Sequence, residues 1–292
     1  MSTSDLFARH LAETGWLAER LEDPALRIYD CTTHLLPATD APYRIESGRA
    51  DYDAGHIPGA DFIDLQGELS RQDSPLRFML PGPAQFAEVA SAKGIGPGTR
   101  VVLYSTTTPQ WATRVWWMLR AYGFDDAMVL DGGLPKWRAE GRPISTAPAR
   151  YPPARFEPRP RPRLFAGRDE VLAAVGAGEV CVLNALSAEQ HAGGGRSYGR
   201  PGRIAGSANV PAATMLDTAS GVFLDRGRLA EAFASAGATK DRRVITYCGG
   251  GIAATLNAVA HLLVGNENVA VYDGSLFEWK GEGLPVSSNM GA

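Results

Sequence analysis

The chain repeats itself, and no other feature constrains its fold as strongly. VVLYSTTTPQWATRVWWMLRAYGFDDAMVLDGGLPKWRAEGRPI, from Val101, and VITYCGGGIAATLNAVAHLLVGNENVAVYDGSLFEWKGEGLPV, from Val244, share one plan. Each reads apolar strand, short loop, amphipathic helix, apolar strand, Asp-Gly, aromatic-rich turn, Gly, Pro. Asp131, Gly132, Trp137, Gly141 and Pro143 correspond to Asp273, Gly274, Trp279, Gly283 and Pro285. Upstream, DAGHIPGADFI from Asp53 matches RPGRIAGSANVP from Arg200, and RIYD from Arg27 matches VCVLN from Val180. So long an ordered series signals duplication. Strands alternating with helix-length segments imply a parallel sheet covered by helices. The expected fold is α/β, with two tandem domains, each a mainly parallel sheet flanked by helices. A length of 292 residues suits two domains.

From Gly141 to Leu164 the chain holds seven prolines and six arginines. Proline lacks a donor and fixes φ, so this stretch is neither helix interior nor central strand. It reads as an extended linker over the surface, its arginines keeping it solvated or offering a basic strip. The expected divisions are an N-terminal domain over 1–144, a linker over 145–163 and a C-terminal domain over 164–292. A net charge of −3 offers no global attraction to nucleic acid or an anionic membrane. Three cysteines, Cys31, Cys181 and Cys248, cannot all pair with one another, which argues against a disulfide framework and for reducing cytoplasm. The N-terminal MSTSDLFARHLAETGWLAERL carries charges throughout. It reads as an amphipathic helix, neither signal peptide nor membrane span.

Ligands of such α/β units bind beyond the carboxyl ends of strands, beside helix N-termini. The loop after the apolar run ending at Tyr247 is therefore the place to look. It begins with Cys248, continues through Gly249, Gly250, Gly251, Ile252 and Ala253, and leads into a helix. Successive glycines let consecutive N–H groups turn inward, and inward N–H groups at a helix N-terminus make an anion cradle. A sulfur at its centre would be favoured as thiolate, the nucleophilic form. The alternative is a buried strand-end thiol followed by a tight turn.

From about Leu26 to Val286 the chain resembles the tandem-domain rhodanese family, which includes thiosulfate and 3-mercaptopyruvate sulfurtransferases. HIPGA at His56, MLPGPAQFA at Met79, RVWWM at Arg114, LDGG at Leu130 and YDGSLFEW at Tyr272 carry the resemblance. It implies two rhodanese-like domains, a reactive Cys248 opening a six-residue loop, and a catalytically silent first domain that closes the pocket. Ser105 stands where the second repeat has Cys248. The implied activity is sulfur transfer through a Cys248 persulfide, from a small anionic donor to a thiol or cyanide. No metal or organic cofactor is implied, and a thioredoxin-like reductant is a conceivable partner. The resemblance draws donor-binding arginines from the segment Glu189 to Arg203. Arg200 and Arg196 are the candidates; no arginine stands near Gln190 or His191, and a merely solvated loop is the alternative. Trp111 is either a pocket aromatic or a core aromatic beside Trp116 and Trp117. His56 either orients or protonates substrate, or closes the turn before Ile57. Neutral Gly249 and Gly250 lean toward 3-mercaptopyruvate over doubly charged thiosulfate. Two hydroxyls that mercaptopyruvate-preferring members carry are missing at Gly250 and Ala253.

Two other functions compete. A cysteine phosphatase needs an arginine six residues beyond its cysteine to grip phosphate, and Ala254 stands there. A scaffold would bind one persulfide sulfur and turn over weakly or not at all.

Overall fold

A computed structural model describes residues 3–39, 41–195, 198 and 200–289. Apolar and β-branched runs such as Arg100–Tyr104 and Arg243–Tyr247 form the central strands. Branched side chains pack well on a pleated surface covered on both faces. The first half builds a five-stranded parallel sheet in the order Leu11–Ala12, Ala127–Leu130, Arg100–Tyr104, Leu26–Asp30, Asp61–Phe62. The second repeats that order with Phe165–Ala166, Val269–Tyr272, Arg243–Tyr247, Val180–Asn184 and Ala208–Asn209. Helices flank both sheets. The chain is thus α/β, two tandem domains on one plan.

Helices Gln110–Ala121 and Ala253–Leu263 are buried over nearly every residue. Helices apolar all round belong inside a molecule, and these two meet where the halves join. Thr113 Oγ1 lies 2.8 Å from Thr255 Oγ1, and Trp117 Nε1 donates to Leu164 O at 2.9 Å. The Asp of each Asp-Gly pair reaches across. Asp273 Oδ2 accepts Leu80 N–H at 2.7 Å, and Asp131 Oδ1 accepts Phe223 N–H at 2.9 Å. Leu80 and Phe223 each precede a helix N-cap by two residues, so the duplicated chain clasps itself twice.

The N-terminal segment departs from expectation. It is not one helix but helix Thr3–His10, strand Leu11–Ala12 and helix Thr14–Ala18. Leu11 and Ala12 pair with Val129 and Leu130, completing the sheet edge that Phe165–Ala166 completes in the other half. The stretch after Pro143 runs extended, but it is docked rather than loosely solvated. Tyr151 Oη accepts Ile28 N–H at 2.8 Å and donates to Gly59 O at 2.7 Å, while Phe156 is buried against Phe86. No helix among the described residues is long and apolar enough to cross a membrane.

Candidate active site

Cys248 follows strand Arg243–Tyr247 and stands five residues before helix Ala253–Leu263. It is 3% exposed. Three carbonyls of its loop are held from outside. Leu276 N–H donates to Cys248 O at 3.2 Å, Phe277 N–H to Gly249 O at 3.0 Å, and Arg114 Nη1 to Gly251 O at 3.2 Å. A trans peptide sets its N–H opposite its C=O. The N–H groups of Gly249, Gly250 and Ile252 therefore point away from the groups that clamp those carbonyls. None of the three, nor the N–H of Ala253 or Ala254, donates to a described residue. Backbone N–H groups away from water are ordinarily paired. A cluster of unpaired ones beside a thiol is what an anion cradle requires.

Gly251 is the exception within the loop. Its N–H is taken by Ser275 Oγ at 3.1 Å, which also accepts Cys248 N–H at 3.1 Å and donates to Tyr272 O at 2.7 Å. Ser275 holds this place with φ at +49°, uncommon for a residue with a side chain. Its three hydrogen bonds fix that backbone.

Three rings cover the loop. A side chain at Gly249 would collide with the Tyr198 ring, and one at Gly250 would sit 3.4 Å from Phe277 and 3.9 Å from Tyr43 Oη. The rings meet edge to face, with centroids 5.0 Å apart for Tyr198 and Phe277 and 5.8 Å for Tyr43 and Phe277. Tyr43 and Phe277 also border a cavity of about 120 Å³ that Arg77 lines.

The remaining sequence candidates are scattered. Arg196 lies outside the described residues. Arg200 is exposed and donates to Leu284 O at 2.6 Å. It stands near Lys280, whose ammonium burial, helped by the Arg200 charge, lowers to about 8. His56 is buried, with Nδ1 2.7 Å from Tyr52 O and Nε2 3.0 Å from Ala147 O, and its ring stacks on Tyr52 at 3.9 Å. Those contacts belong to the turn before Ile57 and do not bring the ring to Cys248. Trp111 packs in the core against Phe78, centroids 5.6 Å apart. Burial raises the Cys31 thiol well above its ordinary value and raises the Cys181 thiol too.

Sequence reasoning missed Ser275, Arg114 and the three rings. Two signals were present. Ser275 stands where the first repeat has Gly133, which is also left-handed at +55°. Arg114 is a charge amid the apolar run of its helix, where the second repeat has Asn257.

Two repeated α/β domains, with the Cys248 loop between the carboxyl end of a central strand and a helix, define a class of duplicated α/β proteins. The chain belongs to the rhodanese family: the model of the Rhodanese-like domain matches residues 13–140 and again 168–282. It is 31% identical over 288 residues to 3-mercaptopyruvate sulfurtransferase of Mus musculus, covering 96% of this chain and 94% of that protein. Thiosulfate sulfurtransferase of Bos taurus is 32% identical over 284 residues, covering 93% and 92%. The crystal structure of SseA, a 3-mercaptopyruvate sulfurtransferase of Escherichia coli, superposes with a TM-score of 0.79 at 28% identity, over 91% of this chain and 98% of that one. The protein is an enzyme of the sulfurtransferase class.

Proposed function

We propose that the enzyme moves sulfane sulfur from 3-mercaptopyruvate or thiosulfate to a thiophilic acceptor through a persulfide on Cys248. The supporting observation is the set of N–H groups in the Cys248 loop that donate to no described residue, in a loop that joins a central strand to a helix N-terminus. Cys248 as thiolate attacks the donor's outer sulfur. With thiosulfate the S–S bond breaks and sulfite leaves. With 3-mercaptopyruvate the C–S bond breaks and the carbon fragment takes a proton to become pyruvate. The cradle holds negative charge on sulfur before and after transfer. Cyanide then takes the outer sulfur as thiocyanate. A thiol takes it as a persulfide, and a second thiol, such as that of a thioredoxin-like protein, releases sulfide and forms a disulfide.

The loop side chains are all neutral, which matches a singly charged donor and favours 3-mercaptopyruvate. Arg77, beside Tyr43 and Phe277, and Arg200 are the cations assigned to the donor carboxylate. Three free thiols suit a reducing compartment, and this reading places the enzyme in the cytosol.

Intact-mass analysis and steady-state kinetics test the reading together. The wild type should gain one sulfur and turn over with donor plus acceptor. Cys248→Ser should lose both, and Cys31→Ser and Cys181→Ser should keep both. Uptake of one sulfur without turnover would mark a binding protein, and equal loss in all three variants would remove Cys248 from its role.

A further inference from the structure

The first domain has Ser105 where the second has its thiol, yet it reaches the Cys248 loop through Arg114. This residue lies on helix Gln110–Ala121 and is completely buried. Nη1 donates to Gly251 O at 3.2 Å; Nη2 donates to Phe78 O and to Asp273 Oδ1, each at 2.6 Å. Phe78 presents its carbonyl from a left-handed backbone, φ +63°, which a bulky aromatic rarely adopts. Nε has no hydrogen-bond partner among the described residues. An incompletely paired buried guanidinium is a poor way to stabilise a seam, since well-packed apolar side chains often do as well or better.

Cys248 O and Gly249 O are clamped by backbone N–H groups of the second domain itself. Gly251 O, by contrast, is clamped by a side chain of the first. That bond fixes the rotation of the Gly251–Ile252 peptide and hence the direction of the Ile252 N–H. We propose that Arg114 is a positioning residue that aims the Ile252 N–H at the sulfur of Cys248, so that the silent domain builds part of the sulfur site. This rests on the persulfide reading above. It adds that the first domain contributes to the rate of sulfur capture as well as to covering the pocket.

The duplication supplies its own control. Asp131 makes the corresponding interdomain clasp to Phe223 N–H, and no contact of its carboxylate reaches the Cys248 loop among the described residues. Arg114→Gln and Asp131→Ala therefore both weaken the seam, but only the first frees the Gly251 carbonyl. The measurement is single-turnover formation of the Cys248 persulfide from 3-mercaptopyruvate and from thiosulfate, with the melting temperature of each protein. Arg114→Gln should slow capture by roughly 10²-fold, the scale set by removal of one preorganised donor from an anion hole. Asp131→Ala should lower the melting temperature and leave the capture rate within about threefold, a difference of under 1 kcal/mol. Similar slowing in both variants, or capture at the wild-type rate by folded Arg114→Gln, would overturn the proposal. Should the glutamine variant not fold, Arg114→Lys replaces it, with at least a tenfold slowing expected and wild-type capture overturning the role. If the wild type itself forms no persulfide, the reading of the site fails. If it does and the Arg114 variants match it, only the positioning role fails.

Discussion

Among the three loop glycines, one needs its backbone freedom and one needs its lack of a side chain. Gly251 sits at φ +74°, and a Cβ there would meet Asp273 O at 2.7 Å and Arg114 Nη1 at 3.2 Å. Gly249 is kept free of a side chain by the Tyr198 ring, whereas a Cβ at Gly250 would meet Phe277 at 3.4 Å, an ordinary contact. The sequence showed a glycine run after a buried strand, enough to place an anion loop there. It could not divide these roles, because the ring that bars a side chain at Gly249 comes from a distant segment. Gly251→Ala should cost roughly 1–2 kcal/mol from the left-handed backbone alone, read by urea unfolding. It should also slow persulfide formation by pushing Arg114 off the Gly251 carbonyl. A variant as stable and as fast as wild type would remove the conformational requirement.

Elements were legible where their pattern was local, and misread where a neighbour decided. The apolar runs ending at Tyr104 and Tyr247, and the helix after the cysteine loop, stand where periodicity put them. Leu11–Ala12 lies inside a helix-like sequence, yet it becomes a strand because the free edge of Ala127–Leu130 pairs with its backbone. Likewise the proline-rich connection looks merely extended in sequence. Its hold on the first domain comes from Tyr151 and Phe156, which fit sites formed only after folding. Tyr151→Phe leaves Ile28 N–H and Gly59 O without their hydroxyl partner. It should destabilise the protein by about 1–3 kcal/mol, the cost of an unmet buried donor, while leaving sulfur transfer intact. Differential scanning calorimetry with a turnover assay on the same sample checks both halves.

At the scale of the molecule, duplication gives two clasps but only one charged one. Asp273 has Arg114, whereas Asp131 has no arginine within hydrogen-bond reach among the described residues, and burial raises its carboxyl to about 6. On helix Ala253–Leu263, which follows the Cys248 loop, the group that responds to acid is His261. It is buried, stacks on Phe233 at 3.7 Å, and neither ring nitrogen has a hydrogen-bond partner among the described residues. Burial lowers it to about 3, against 6.5 for the unfolded chain. Below pH 6.5 the unfolded chain takes up a proton that the native ring refuses, so stability falls as pH drops toward 3. By pH 5 this one group accounts for about 2 kcal/mol. His10 and His191, each lowered to about 4 chiefly by burial, act in the same direction. Asp30 and Asp131, both raised to about 6 by burial, oppose them by binding protons in the native state. His261→Leu should therefore shrink the difference in unfolding free energy between pH 7 and pH 5 by about 2 kcal/mol relative to wild type. An unchanged difference in paired denaturant titrations would show that the ring does not couple folding to acid.

The sequence by itself determined the duplication, the parallel α/β architecture, the family, and the cysteine that faces the ligand end of its sheet. Those properties are written in local periodicity and in residue types repeated at matching places. Only the tertiary structure decided what surrounds the sulfur. Ser275 ties the loop from a left-handed turn, Tyr43, Tyr198 and Phe277 cover it, and Arg114 crosses from the other domain. Each contact joins residues far apart in the chain, and long-range packing leaves no period in the sequence.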